Sequence, residues 1–258
     1  MNIASKGLFL LALCAGLGCS AASAHDFTGG YVGLNIGGNA AYGKASTTTV
    51  FTPTGYFAAS SIPAIAAAGN QSLNTTGFNF GAQAGYNWSI GGNWLLGVEA
   101  DFGTNSDTAK MSSAGVYPCC APTSFAVNSK VSTSWLLTVR PKLAWTWNDG
   151  MVYATGGLAM TDEKAAFLFT DTFATANESG VFTKTNTGWT IGAGLEEAWT
   201  DTWSWKVEYL HASFGGVGGT STNLTAFGPP TIAFPANIFT HHASLQENIL
   251  RFGINYHL

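Results

Sequence analysis

The chain has 258 residues and a formal net charge of −4, with only 9% charged residues against 13% aromatics. Soluble domains carry roughly a quarter charged residues, so this composition points toward a membrane, yet no apolar run reaches the ~20 residues that a spanning helix needs. The acidic balance supplies no basic field and argues against nucleic acid as a partner.

Lys6, the apolar run Leu8–Leu17 and Ala22-Ser23-Ala24 read as a cleaved secretory signal over residues 1–24, leaving 25–258 as a single domain. Cys19 raises lipoprotein processing, but Gly16 stands three positions before it, where a large aliphatic is needed. Removing the signal takes Cys14 and Cys19 with it and leaves Cys119-Cys120, flanked by Pro118 and Pro122 in what reads as a loop tip. An oxidising compartment permits a vicinal disulfide or an intermolecular bond there without demanding either.

From residue 30 onward the chain alternates. Val32, Leu34 and Ile36 interleave with Gly33, Asn35 and Gly37. Phe78, Phe80, Ala82, Ala84, Tyr86 and Trp88 interleave with Asn79, Gly81, Gln83, Gly85 and Asn87. After the turn Ser89–Asn93, the residues Trp94, Leu96, Val98, Ala100 and Phe102 oppose Leu95, Gly97, Glu99, Asp101 and Gly103. Trp135, Leu137, Val139, Leu143, Trp145 and Trp147 oppose Thr138, Arg140, Lys142 and Thr146. Val152, Ala154 and Leu158 oppose Tyr153 and Thr155. Trp189, Ile191, Ala193, Leu195 and Trp199 oppose Thr190, Gly192, Gly194 and Glu196. Trp203, Trp205, Val207 and Tyr209 oppose Ser204, Lys206 and Glu208. Leu250, Phe252, Ile254, Tyr256 and Leu258 oppose Arg251, Gly253, Asn255 and His257.

Period-two alternation over about ten residues is what a tilted strand needs to cross a bilayer. These segments predict an all-β fold: an eight-stranded antiparallel up-and-down transmembrane β-barrel. Short turns fall at 89–93, 148–150 and 200–202; the other connections, roughly 41–76, 104–132, 161–185 and 215–247, read as four long loops rich in Thr, Ser, Ala, Asn and Pro. In outer-membrane barrels the short turns are periplasmic and the long loops extracellular.

A soluble lipocalin-like barrel would instead turn its apolar face inward. The tryptophans separate the two. Trp88, Trp94, Trp135, Trp145, Trp147, Trp189, Trp199, Trp203 and Trp205 all lie on the parity opposite the charges and near strand ends. Two interfacial belts are favourable for indoles, and nine of them do not fit in so narrow a lumen. The inward face then carries Glu99, Asp101, Glu196 and Glu208 with Arg140, Lys142, Lys206 and Arg251. Four acids and four bases cancel formally. Glu99 and Asp101 lie on the strand adjacent to Arg140 and Lys142 and are expected to pair with them, and Glu196 neighbours Lys206 across the third turn. The lumen therefore reads as a compensated polar plug, with a narrow ion path or proton relay as sharper alternatives.

No nucleophile elbow appears and no histidine pair has metal-ligand spacing on an element, so the chain reads as a non-enzyme without cofactor. The adjacent pair His241-His242 in a Thr-rich segment is the one candidate for haem or a transition metal, against the plainer reading of solvated surface.

Five blocks carry a family resemblance: Thr28–Gly33, Gly81–Phe102, Trp135–Gly157, Gly188–Phe214 and Asn248–Leu258, closest in Gln83–Trp88 and Lys206–Leu210. They resemble the alphaproteobacterial outer-membrane surface-antigen and porin-like family, OmpA-type barrels in architecture. The resemblance implies location in the bacterial outer membrane, in contact with its lipid, and a role in envelope integrity or surface interaction. Low-conductance porin activity and haemin reception through the loop histidines are the alternatives it carries, with host surface molecules or haemin as partners. Arg251, Gly253, Tyr256 and Leu258 resemble the terminal signal read by the barrel-assembly machinery, although Leu258 stands where Phe is usual. Pro141 replaces the family's glycine in mid-strand, which predicts a bulge or broken ladder at Arg140–Lys142, with Arg140, Lys142 or a lumen water serving the neighbouring carbonyl that a glycine N–H would satisfy, and Pro141 itself facing lipid. Glu197 takes an outward position usually aromatic, close to the periplasmic interface.

Overall fold

The computed structural model describes residues 25–258, and the signal expected over 1–24 lies outside the described residues. In chain order the elements are β1 (Gly29–Thr49), α1 (Ser61–Gly69), β2 (Gln71–Gly91), β3 (Trp94–Asn105), β4 (Thr108–Val116), β5 (Ser124–Ser132), β6 (Trp135–Trp147), β7 (Gly150–Asp171), β8 (Asn177–Ala198), β9 (Trp203–Ser221), β10 (Thr225–Ala226), β11 (Ile232–Ala233) and β12 (Phe239–His257). Antiparallel ladders run β1–β2–β3–β6–β7–β8–β9–β12 and return to β1. Each of these strands is paired on both edges, the one arrangement in which a sheet leaves no backbone group unsatisfied in lipid.

The two faces sort as their chemistry demands. Leu34, Ile36, Phe78, Phe80, Phe102, Leu158, Ile191 and Leu250 are all more than half exposed on the outer wall. On the opposite parity Asn35, Gln83, Glu99, Arg140, Lys206 and Asn255 are buried in the lumen.

The segments expected to be four long loops are mostly strand. What connects the strands at this end is residues 50–70 with α1, the tip 117–123, the turn 172–176, and 222–238 with β10 and β11. The physical reason is an inversion of the pattern. Above the membrane the outer face meets water, so Lys44, Lys110, Lys130 and Lys164 are exposed while Ala45, Ala109, Val131 and Ala165 beside them are buried. Alternation continues with the chemistry of its faces exchanged, and a search for apolar-out, polar-in strands stops at the membrane surface.

Here the ring also opens into two four-stranded sheets. The ladder between β8 and β9 ends at Gly188↔Phe214, and that between β2 and β3 ends at Asn79↔Asn105. Beyond those points one sheet is β4–β5–β7–β8 and the other β9–β12–β1–β2. Side chains bridge the seams: Asn186 Nδ2 donates to the Gly215 carbonyl at 3.2 Å, and Thr75 Oγ1 to the Thr108 carbonyl at 3.0 Å. Ala109, Val131, Ala165 and Phe167 of one sheet pack against Ala45, Leu73, Val217 and Ala243 of the other. Residues from α1, the loops and the sheet tops close the end, with Phe57, Ile65, Phe125, Phe169, Leu224 and Phe239 at the centre. In the tip, Cys119 and Cys120 form a vicinal disulfide.

Pro141 lies on the exposed outer face. Its ladder to β3 is continuous, with Val98↔Pro141 and Glu99↔Arg140. Toward β7 the ladder stops at Val139↔Leu158 and resumes at Lys142↔Thr155 in the same register, so pairing is broken without a bulge. With the ladder open here, Pro141's own carbonyl accepts from Thr155 Oγ1 at 2.9 Å, while the head groups of Arg140 and Lys142 are engaged deeper in the lumen. Thr155→Val should therefore lower stability in reversible lipid refolding by about 1–3 kcal/mol, the cost of a buried acceptor left unpaired. Thr183→Val on the exposed wall should change it by less than about 0.5 kcal/mol; equal effects of the two would show that the Thr155 hydroxyl does not serve this carbonyl.

Candidate functional site

The inward face of β12 serves as a ruler along the lumen: His257, Asn255, Arg251, Ile249, Glu247, Ala243, His241 and Phe239 are all buried, one above another. Each marks a layer contributed by the surrounding strands. At the turn end, Phe27 is 1% exposed inside the mouth, where Asn87 Nδ2 donates to its carbonyl at 2.9 Å. Leu95, Ala144, Met151 and Tyr153 pack around it.

Above this lies the charge cluster. Register sets Glu99 directly across from Arg140 on neighbouring strands, and Arg140 Nη2 stands 2.7 Å from Glu99 Oε1 and 2.9 Å from Asp101 Oδ2. Its other nitrogen, Nη1, reaches Glu208 Oε1 at 3.1 Å. Arg251 pairs with Asp101 at 2.9 Å and with Glu208 at 2.5 Å. Lys206 lies 2.8 Å from Glu99. β9 and β3 stand on opposite sides of the ring, so the last pair ties one wall to the other through the lumen centre.

Two pairings differ from the sequence expectation. Lys142 meets no carboxylate: its Nζ donates to Tyr31 Oη at 3.0 Å and lies over the Tyr31 and Tyr153 rings at 4.6 and 5.1 Å. Tyr31 in turn donates to Glu99 at 2.7 Å, so the ammonium is linked to that carboxylate through a phenol. Glu196 sits directly across from Lys206 in register but accepts from Ser204 at 2.6 Å and Asn255 at 2.7 Å, with His257 at 3.5 Å. The four-carbon stem of Lys206 lets it bypass its neighbour for the opposite wall.

An apolar layer of Leu136, Ala159, Leu210, Phe214 and Ile249 covers the charges. Next comes a polar layer that sequence reading missed. Asn39 Nδ2 donates to Asn105 Oδ1 at 2.8 Å and to Asp107 Oδ2 at 2.5 Å. Asn105 Nδ2 donates to both Glu247 oxygens at 2.8 and 2.9 Å, and the Asn186 amide donates to Glu163. Only parity could have found these, because Glu247 shares the inward face of Arg251 four residues on.

His241 belongs to the next polar layer and His242 does not. Adjacent on one strand, they face opposite ways: His241 is 2% exposed inside, and His242 is exposed outside. The pair cannot grip one haem or metal between them, which corrects the candidate site. His241 Nε2 lies 3.1 Å from Glu178 Oε1 and 3.2 Å from Ser221 Oγ, while Nδ1 meets Thr47 Oγ1 at 3.0 Å. In a Ser–His–acid relay the acid and the nucleophile use different ring nitrogens; here both crowd Nε2. Among the described residues no group of three or more His, Cys, Asp or Glu has the arrangement to hold a metal. At the extracellular end Tyr56 and Tyr117 donate to Asp171 at 2.5 and 2.9 Å. Burial first, reinforced by that carboxylate, pushes both phenols far above their ordinary range and keeps them as donors.

The nine tryptophans all lie on the outer wall and none is buried. Trp88, Trp94, Trp145, Trp147, Trp199, Trp203 and Trp205 gather toward the short turns, and Trp135 and Trp189 mark the other border of the apolar band. Of the terminal residues, Arg251 is in the charge cluster and Gly253 faces inward, where an added Cβ would meet Gln83 and Lys206 at 3.1 Å. Tyr256 and Leu258 are exposed on the outer wall.

This closed, outward-apolar ring matches the outer membrane protein beta-barrel domain over residues 9–228. The chain belongs to that family. The 31 kDa outer-membrane immunogenic protein of Brucella melitensis biotype 1 is 34% identical over 194 residues, 74% of this chain and 72% of that protein. The 22 kDa outer membrane protein of Rhizobium leguminosarum bv. viciae is 32% identical over 139 residues, 53% of this chain and 54% of that one. Among solved structures, OprG of Pseudomonas aeruginosa aligns with 91% of this chain and 99% of its own, at 9% identity and a TM-score of 0.42. By that family match and the Brucella relative, the protein is an outer-membrane β-barrel protein.

Removing one partner of a buried ion pair costs roughly 3–5 kcal/mol, because the other charge stays buried. Arg140→Met leaves Glu99, Asp101 and Glu208 each short of a partner and should cost that much in reversible lipid refolding. Lys142→Met should cost clearly less, and Lys110→Ala on the exposed wall less than about 0.5 kcal/mol. Equal costs for Arg140→Met and Lys110→Ala would contradict this picture of the cluster.

Proposed function

We propose that this protein works as a plugged structural barrel, a rigid wall element of the outer membrane that holds an ordered extracellular surface for contacts with its surroundings. The observation that carries the reading is Lys206 reaching Glu99 across the lumen, with Arg140 and Arg251 bracing it from two further strands. A contact that joins opposite walls supports a plugged lumen, and the apolar layer at Leu136, Leu210 and Ile249 supports a second barrier. Envelope integrity and surface interaction then follow from the same build. The immunogenic character in the Brucella relative's name fits a family member whose outer end is accessible.

The low-conductance porin is less favoured because it needs this cluster to open. Haemin reception through His241 and His242 is less favoured because the two imidazoles face opposite sides of the wall. Recognition of Tyr256 and Leu258 by the barrel-assembly machinery fits their exposure on the outer wall.

Planar bilayers test the reading. The wild-type protein should give no resolved conductance steps, and a double variant Arg140→Ala, Lys206→Ala should leak. Regular steps from the wild type, unchanged in the double variant, would favour the porin instead.

A further inference from the structure

The net charge of −4 conceals a separation of charge across the molecule. Among the described residues, the exposed or half-buried Asp, Glu, Lys and Arg side chains at the turn end outside the lumen are Asp26, Asp149, Glu197 and Asp201, all acidic. In the extracellular half the carboxylates Asp107, Glu163, Asp171, Glu178 and Glu247 are buried inside. Asp162 is held at the base of the wall by Ser134 and Trp135. What the outer wall there presents to its surroundings is lysine.

Three of these lysines line up on the outer face of the β4–β5–β7–β8 sheet. Lys110 and Lys130 are directly opposite one another across β4 and β5. Lys164 is paired with Ser132, two residues along from Lys130, and so lies on the diagonal of the same face. Like charges set directly across a sheet are destabilising unless something neutralises them. A groove of about 500 Å³ lies beside the first two, with Ser112 and Asn128 as polar lining and Ala166 and Leu168 as its apolar floor. Ammonium groups, hydroxyl and amide donors over an apolar floor suit a phosphorylated sugar.

We infer that this lysine row binds the phosphorylated headgroup of a glycolipid in the outer leaflet around the barrel. Position selects that source over a soluble polyanion. The lysines point sideways from the flank, not up from the capped end. Lys130 is five residues beyond Trp135 on a nearly continuous strand, which at ~3.3 Å per residue and a tilt of about 40° places its Cα about 13 Å above the aromatic border. Flexible four-carbon stems reach down from there to headgroup phosphates, with each ammonium acting as a point-charge partner. The inference goes beyond the structural role proposed above and does not depend on the lumen being closed, so bilayer conductance and lipid retention can fail separately.

The test uses the full refolded protein in phosphatidylcholine vesicles containing a bisphosphorylated diglucosamine glycolipid, solubilised and captured by affinity. Wild-type protein should co-purify enriched in the glycolipid, and K110Q/K130Q/K164Q should lose that enrichment about tenfold while keeping heat-modifiable gel mobility. K110R/K130R/K164R should retain it, and a dephosphorylated glycolipid should not be enriched. For the wild type alone, retention should fall as salt is raised, which keeps the test decisive if the glutamine variant folds poorly. No enrichment by the wild type, equal enrichment of the dephosphorylated lipid, or salt-insensitive retention would overturn the inference. So would capture of a soluble sulfated polysaccharide without enrichment of the glycolipid.

Discussion

A backbone that crosses lipid has no water to satisfy its polar groups, and everything else in this protein follows from that constraint. It forces the strands into a closed ring, and closure fixes a lumen only as wide as its side chains can fill. Because side chains alternate along each strand, the residues that cannot face lipid all enter that lumen together. Glu99, Asp101, Glu208, Arg140, Lys206 and Arg251 are ionised groups with no access to solvent, stable there only because each meets opposite charge. At Pro141, where the ladder to the next strand is interrupted, a side-chain hydroxyl from Thr155 donates to the proline's own carbonyl.

Where lipid ends, the constraint is released, and the wall changes accordingly. The ladder parts at Gly188↔Phe214 and beyond Asn79↔Asn105, and two sheets close over an apolar core. Water can then serve the exposed edges, and side chains such as Asn186 and Thr75 bridge the seams. The extracellular half is thus a packed, two-sheet body continuous with the barrel. An extracellular surface built this way is preorganised, and contacts made on it cost little ordering entropy.

The membrane half was legible in the sequence because lipid makes the contrast between faces extreme. Phe78 to Trp88 and Trp94 to Phe102 declare both strands and their outward face, and the register across β3 and β6 puts Glu99 opposite Arg140 as the alternation implied. Pairing by adjacency failed where side chains are long. Lys206 passes over Glu196 for a carboxylate on the far wall, and Lys142 settles between two tyrosines. The extracellular strands were read as loops because Thr, Ser and Lys outside with Ala and Val inside give a weak contrast of reversed sign. That same error hid Glu163, Glu178, Asp107 and Glu247, and let His241 and His242 look like neighbours at one site when strand geometry separates them. Net charge misled for a related reason: most of the acids are internal, so the sum says little about the field outside.

The contact between Lys206 and Glu99 joins opposite walls of the lumen most directly. A double-mutant cycle with Lys206→Met and Glu99→Gln, read by reversible refolding in lipid vesicles, measures it directly. Residues joined across the lumen should show a coupling energy of about 1–3 kcal/mol. A coupling indistinguishable from zero would mean that the two walls do not meet, and the account of a braced, filled barrel would be wrong.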